Sequence, residues 1–195
     1  KMIQELYKKA IMEDVMVLFG IDAIEMEHTA QENVIKTNYG EISAKNTIIA
    51  TNGFAKKWIE DDILPARAQV IITNEIPDLR LNGTFHFQKG YYYFRNVGNR
   101  ILLGGGRNLD VSGETTEEFG LTEQIQLKLK DLLEKVIIPG QSYQIEDAWS
   151  GIMGVGKSKS PIIKKLNNNT AIGVRLGGMG VAIGSQVGKT LASLF

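Results

Sequence analysis

Residues 173–195, GVRLGGMGVAIGSQVGKTLASLF, decide the reading of this chain. They predict a strand, a glycine turn and a helix that runs to residue 195. Gly177, Gly178 and Gly180 leave three of four positions without side chains just before the helical pattern begins. Glycine there permits positive φ and lets a bulky partner approach the backbone. The helix that follows presents unpaired N–H groups and its positive dipole end at that turn. Such a turn suits an anion or a polar ring edge laid against backbone amides. Gly180, Gly184, Gly188 and Ala192 recur every four residues and form one smooth ridge. Val181, Ile183, Val187, Leu191 and Leu194 put apolar bulk on neighbouring faces. The plainer reading of the same residues is a glycine cap before a tightly packed helix.

The rest of the chain bounds what this unit can serve. Its 195 residues suffice for one large or two small domains with a real core. Lys plus Arg and Asp plus Glu each total 22, so the net charge is zero. That argues against a nucleic-acid or anionic-membrane partner, since both need a basic footprint. There are no cysteines, which excludes disulfides, thiolate metal sites and cysteine-linked cofactors and fits a cytoplasmic location. His28 and His86 are far apart in sequence, so no metal centre is expected. No apolar run approaches the ~20 residues of a membrane span.

Taken in order, residues 1–13 predict an amphipathic helix already running at residue 1 with no capping residue before it. Residues 15–19 predict a short apolar strand. Strands at 22–29, 33–38 and 41–44 form a small meander, and residues 47–50 (TIIA) a buried strand stopped by Thr51, Asn52 and Gly53. After Pro65 the strands at 69–73, 84–88, 91–95 and 100–103 suggest an antiparallel sheet. Residues 121–136 form the clearest helix, with Thr122 as N-cap and Pro139-Gly140 as its stop. A strand at 144–149, a glycine stretch and a strand at 161–163 lead into the terminal unit. The predicted class is α+β, or α/β.

Residues 151–158, GIMGVGKS, match the phosphate-cradling pattern GxxxxGK[ST]. That cradle needs a buried parallel strand before it and a helix starting at the lysine. Residues 144–149 instead alternate and carry Glu146 and Asp147, and Pro161 falls where the helix must continue. The P-loop nucleotide hydrolase stays as an alternative, and a non-catalytic fragment or binding module as a third.

Four segments together carry a resemblance: TIIATNGF (47–54), LPARAQV (64–70), WSGIMGVGKSKSPII (149–163) and GVRLGGMGVAIGSQVGKTLA (173–192). In this order the chain resembles the C-terminal portion of the D-amino-acid-oxidase-like family of FAD-dependent oxidoreductases. That family includes glycine oxidase, sarcosine oxidase and the gamma-glutamylputrescine oxidoreductases. The run YYYFR followed by RILLGGGR is most similar to the last of these.

The resemblance implies part of a Rossmann-like FAD domain at 1–64 and an antiparallel-sheet substrate domain with a covering helix at 65–147. Residues 148–195 then return to the FAD domain. It implies non-covalently bound FAD beside Thr51, Asn52, Gly53, Gly151 and Ile152. Gly177, Gly178, Met179, Gly180 and Val181 would face the pyrimidine edge of the flavin. Backbone amides there, with the helix dipole behind them, would stabilise negative charge gathering at that edge. The implied reaction is hydride transfer to flavin from a C–N bond of a small amine or amino acid. No catalytic residue is assigned, and a homo-oligomer is left open.

Two departures qualify the match. The GxGxxG fingerprint is absent, because Ile183 stands where the last glycine of GGMGVAIG would be needed. The chain is therefore expected to be a fragment lacking the first flavin-binding unit, binding FAD weakly or not at all by itself. Glycine-oxidase-like members also carry a carboxylate-clamping arginine where this chain has Met153. Arg95, Arg107 and Arg175 are the replacements to weigh, each reading first as a surface or packing arginine. Tyr92, or the pair Tyr91 and Tyr93, is expected to line the substrate space with Arg95 and Met153. Trp149 reads as a core anchor, His86 as structural and Asp147 as a local cap.

Overall fold

The computed structural model describes residues 2–29 and 31–195. Residue 1, where the uncapped helical start was noted, lies outside the described residues. The rest gather into two compact units. One holds residues up to Ile48, Lys165–Ala171 and Phe195, and the other holds Ile49–Lys164 and Ile172–Leu194.

The first unit opens on α1, Met2–Met12, with none of its residues buried. Residues 15–19 are not the strand the sequence predicts. Asp14 adopts φ 58°, and Val15 N–H turns back onto the Ala10 carbonyl at 3.0 Å, so the segment leaves α1 as a wrapped end without a strand partner among the described residues. The meander is present: β1 (Ala23–His28), β2 (Asn33–Thr37) and β3 (Gly40–Ala44) pair antiparallel in that order. Buried Asn33 fixes its place in the unit. Its Nδ2 donates to Thr47 Oγ1 at 2.9 Å and to the Asn169 carbonyl at 3.0 Å, and its Oδ1 accepts from Thr170 at 3.2 Å.

Strand β4 (Thr47–Ile49) belongs to a three-stranded sheet with β10 (Ile162–Lys165) and β11 (Thr170–Val174), in the order β10-β11-β4. Every residue of β11 is buried.

The second unit is built on a five-stranded antiparallel sheet in the order β6-β7-β8-β5-β9. Its strands are β5 (Leu64–Thr73), β6 (Thr84–Phe87), β7 (Tyr92–Val97), β8 (Arg100–Gly105) and β9 (Ile145–Val155). Helix α2 (Glu123–Leu132), extended by a π turn over Leu133–Ile137, covers one face. Ile125, Leu129, Leu132 and Leu133 bury there against Ile71, Tyr92, Ile101 and Leu103. Each such side chain contributes about 1.5–3 kcal/mol, so this packing, rather than helix propensity, holds α2 in place.

Thr122 does occupy the N-cap position of α2, but its hydroxyl makes no capping bond. It bonds Glu114 instead. Glu114 is fully buried and takes a bidentate clasp from Arg67, Nε to Oε2 and Nη2 to Oε1, both at 2.9 Å. Gln69 Nε2 adds a third bond at 3.0 Å. Burial pushes the Glu114 carboxyl up, but hydrogen bonds from Arg67, Thr122 and Gln69 outweigh it and hold the group below the ordinary carboxylate range. The network ties the loop before α2 to β5.

Helix α3 (Gly180–Ala192) follows a 3-10 turn at Gly177–Met179, as the strand–turn–helix reading predicts. Its buried residues, Val187 and Leu191, press on β11 at Gly173, where a Cβ would stand 2.4 Å from Leu191 Cδ1. The small-residue ridge is different. A Cβ at Gly184 or Gly188 meets nothing within 4 Å, so the ridge is not packed among the described residues.

Candidate functional site

The glycine stretch after Trp149 is strand, not loop. Strand β9 runs through Gly151 to Val155, paired antiparallel with β5 from Leu64↔Val155 to Thr73↔Ile145. No helix lies between Val155 and Ile162. The parallel strand and the helix that a phosphate cradle requires are both missing around Lys157.

The glycines of β9 serve a different contact. A Cβ at Gly154 would lie 2.8 Å from Asn52 Oδ1, and a Cβ at Gly53 would lie 2.8 Å from Ile152 Cγ2 and 2.9 Å from the Met153 carbonyl. The turn at Asn52 and Gly53 therefore sits directly on the end of β9. Asn52 holds φ 45°, a left-handed conformation that asparagine tolerates better than most side chains. Its Oδ1 accepts the Leu176 N–H at 3.0 Å, binding this turn to the one before α3.

Three segments singled out in the sequence thus meet in one place. Beside them lies a cavity of about 360 Å³ lined by Gly154, Gly156, Leu176, Gly177, Gly178 and Met179, among others. Gly177 takes φ 54°, and a Cβ at Gly177 or Gly178 would meet nothing within 4 Å. Helix α3 starts there without a side-chain cap, and Val181 is exposed in its first turn. Thr51 precedes this turn and is exposed, and Gly151 is exposed on β9. Arg175, also at this cavity, is a packing arginine. Its Nε donates to the Ser160 carbonyl at 2.9 Å and its Nη1 to the Asp62 carbonyl at 2.8 Å.

A second cavity, of about 370 Å³, opens on the sheet face away from α2. Its lining includes Ala68, Tyr91, Tyr93, Arg107 and Met153. Tyr92 is not there. It is 1% exposed in the core under α2, because alternation along β7 sends Tyr91 and Tyr93 to one face and Tyr92 to the other. Burial pushes the Tyr93 hydroxyl up, so it stays a neutral donor at physiological pH. Arg95 lies one step further along the same face and is exposed. Trp149 is not a core anchor: it pairs with Val70 on β5 and is 43% exposed. Asp147 does cap locally, accepting the Ala148 N–H at 2.8 Å. His86 is exposed on β6.

With this geometry in hand, a family profile for FAD dependent oxidoreductases, the DAO family, matches residues 1–194. The chain belongs to that family. Solved structures of similar fold include an L-proline dehydrogenase from P. horikoshii, at 20% identity and TM-score 0.72, covering 89% of this chain and 49% of that one. An iminodiacetate oxidase from Chelativorans sp. BNC1 has 16% identity and TM-score 0.73, covering 95% and 52%. A glycine oxidase from Geobacillus kaustophilus has 16% identity and TM-score 0.72, covering 89% and 47%. The chain spans about half the length of these structures. A search of curated proteins returned no match.

The residues present in this FAD-family chain fit the cofactor at the first cavity. Two glycines with open space above them, an uncapped helix start and the end of β9 leave a recess with a mostly apolar exposed lining. Planar rings with polar edges suit such a recess, and the dipole of α3 favours negative charge there. No described helix is long and apolar enough to cross a membrane.

Sequence reasoning missed Glu114, although its clasp with Arg67 shapes the loop beside the second cavity. Glu114, one of three glutamates in the run SGETTEE, carries no periodic or motif signal. Only the 47-residue reach from Arg67 exposes its role.

Proposed function

We propose that this chain is part of an FAD-dependent oxidoreductase that oxidises the carbon–nitrogen bond of a small amine or amino acid, with the flavin held non-covalently. The observation that carries this reading is the Asn52–Leu176 bond, which holds the turn at Asn52 and Gly53, strand residues 152–154 and Leu176 together beside the recess at Gly177–Met179. The names of the similar structures support the substrate class, since proline, iminodiacetate and glycine each combine an amine nitrogen with carboxylate.

A bound flavin would supply the hydride acceptor. The chain's own part is to orient and to exclude water. The amides at Gly178, Gly180 and Val181, with the α3 dipole, favour an edge that becomes negative, while the Met179 N–H is held by the Leu176 carbonyl at 3.0 Å. Asn52 keeps the facing turn in register. Ala68, Tyr93 and Met153 provide walls for an apolar substrate body. The chain holds no cysteine, so none of these 195 residues offers a thiol for a link to the flavin, which supports the non-covalent reading.

The test is FAD binding, read by quenching of flavin fluorescence, for this chain alone and with a polypeptide supplying a GxGxxG unit. Binding in either case supports the reading. Failure of both, or magnesium-dependent ATP binding lost in Lys157→Ala, overturns it.

A further inference from the structure

We infer that residues 15–19 and the apolar side of α1 form a docking surface for a polypeptide bearing a GxGxxG unit, with 15–19 entering its sheet as a strand. This deepens the oxidoreductase reading by naming a partner, and rests on it for the choice of that unit.

The region shows surface where a core belongs. Among the described residues from 2 to 48, only Asn33 is buried. Ile3, Leu6, Tyr7 and Ile11 recur at helical spacing on one side of α1, and each is at least 43% exposed. Glu5 and Lys8 pair at 3.1 Å on the opposite side. A contiguous apolar stripe bared in this way marks an interaction surface.

Residues 15–19, VMVLF, widen that stripe. The chain reverses at Asp14, and the Phe19 ring returns to Tyr7, with centroids 6.1 Å apart. The segment therefore runs back along α1, as a strand follows its helix in a βαβ unit. All five side chains are apolar and exposed, from 36% at Val17 to 81% at Met16. Successive side chains of a strand point to opposite faces, so both faces here are apolar. That composition suits a strand covered on both sides, the condition of parallel sheets, whereas a surface strand alternates.

The backbone agrees. Met16, Val17, Leu18 and Phe19 make no backbone hydrogen bond among the described residues. Each offers one donor and one acceptor to a neighbouring strand.

These needs select the occupant. Helix α1 can cover one face of the strand, which leaves the other face and both edges to a partner. A lipid surface would cover side chains and leave the backbone unpaired. A second copy, pairing 15–19 antiparallel with itself, would leave an outer edge open on each strand. A GxGxxG unit meets all of them, because that fingerprint sits between strand and helix of a βαβ unit and brings a parallel sheet with helices on its faces. No such fingerprint occurs in these 195 residues. About half of each similar structure lies outside the part that this chain matches, which is room for one.

The experiment uses the full chain and the GxGxxG-bearing polypeptide encoded beside it in the same genome, produced as a separate molecule. Hydrogen–deuterium exchange is read by mass spectrometry, and size by sedimentation. The expected result is a one-to-one complex in which the amides of 16–19 exchange at least about tenfold more slowly than in the chain alone. Val17→Pro, which removes a ladder donor, and the pair Met16→Asp, Leu18→Asp each weaken the complex about tenfold or more. Lys8→Glu, on the polar side of α1, leaves it unchanged. Residues 16–18 lie outside every helix and strand, so circular dichroism of these variants stays that of the native chain. No complex, a complex in which 16–19 exchange as fast as before, or full affinity in Val17→Pro overturns the inference. So does slow exchange at 16–19 in dimers of the chain alone or on phosphatidylcholine vesicles. A complex that binds FAD while 16–19 still exchange fast sinks this inference alone. Slow exchange at 16–19 in a complex that binds no FAD sinks the oxidoreductase reading alone.

Discussion

Asn52 Oδ1 accepts the backbone N–H of Leu176 at 3.0 Å, joining two turns 124 residues apart in sequence. The same side chain abuts Gly154 of β9. One asparagine therefore sets the spacing of all three backbone segments around the glycine recess. Its left-handed φ of 45° is part of that placement.

Asn52→Gly should keep the backbone conformation and lose the bond. We expect a stability loss of about 1–3 kcal/mol, the cost of a donor left unpaired at Leu176, and weaker FAD binding. Urea denaturation and flavin titration of the same protein check this. Unchanged FAD affinity would separate Asn52 from the cofactor site.

Removing one member of the Arg67–Glu114 clasp leaves a buried charge uncompensated. Arg67→Met should cost about 3–5 kcal/mol, whereas the double variant Arg67→Met, Glu114→Gln should be more stable than Arg67→Met alone. A double-mutant cycle in urea measures the coupling, and additive losses would argue that the clasp is not a unit.

The same clasp gives an acid dependence with a definite sign. Glu114 ionises in the fold below its ordinary value of 4.5. Its contribution is therefore present in full above that value and is lost as pH falls through the depressed folded value. Unfolding free energy measured from pH 7 to pH 3 should drop less steeply in Glu114→Gln than in the native chain, though from a lower plateau.

Glycines in this protein divide by what surrounds them. Gly104→Ala would place its methyl 2.4 Å from Val70 Cγ1 and 2.7 Å from Tyr93 Cε2, an overpacking cost of about 1–3 kcal/mol. Gly188→Ala meets open space within α3 and should stabilise by about 0.5–1 kcal/mol through helix propensity. Thermal melts of the two variants should move in opposite directions. A loss in Gly188→Ala would show that something packs on the ridge.

The local elements were legible because each rests on short-range pattern. Residues 173–195 gave strand, turn and helix in their observed order, and the stripe of Ile125, Leu129 and Leu132 marked α2. The antiparallel sheet followed from closely spaced strands, and the four-segment resemblance agrees with the family match. Composition alone determined that these 195 residues hold no cysteine and so form no disulfide among themselves.

Other features needed the assembled chain. Alternation in YYYFR announces two faces, but only packing under α2 decides that Tyr92 is core and that Tyr91 and Tyr93 are open. Residues 15–19 have the composition of a strand, yet pairing needs a neighbour, and the end of α1 offers none. Thr122 looks like a cap by position, but buried Glu114 competes for its hydroxyl. Arg67 reads as one arginine among several until its neighbours are known. Whether a charge is partnered depends on groups brought together from distant parts of the chain, and tertiary structure alone makes those meetings.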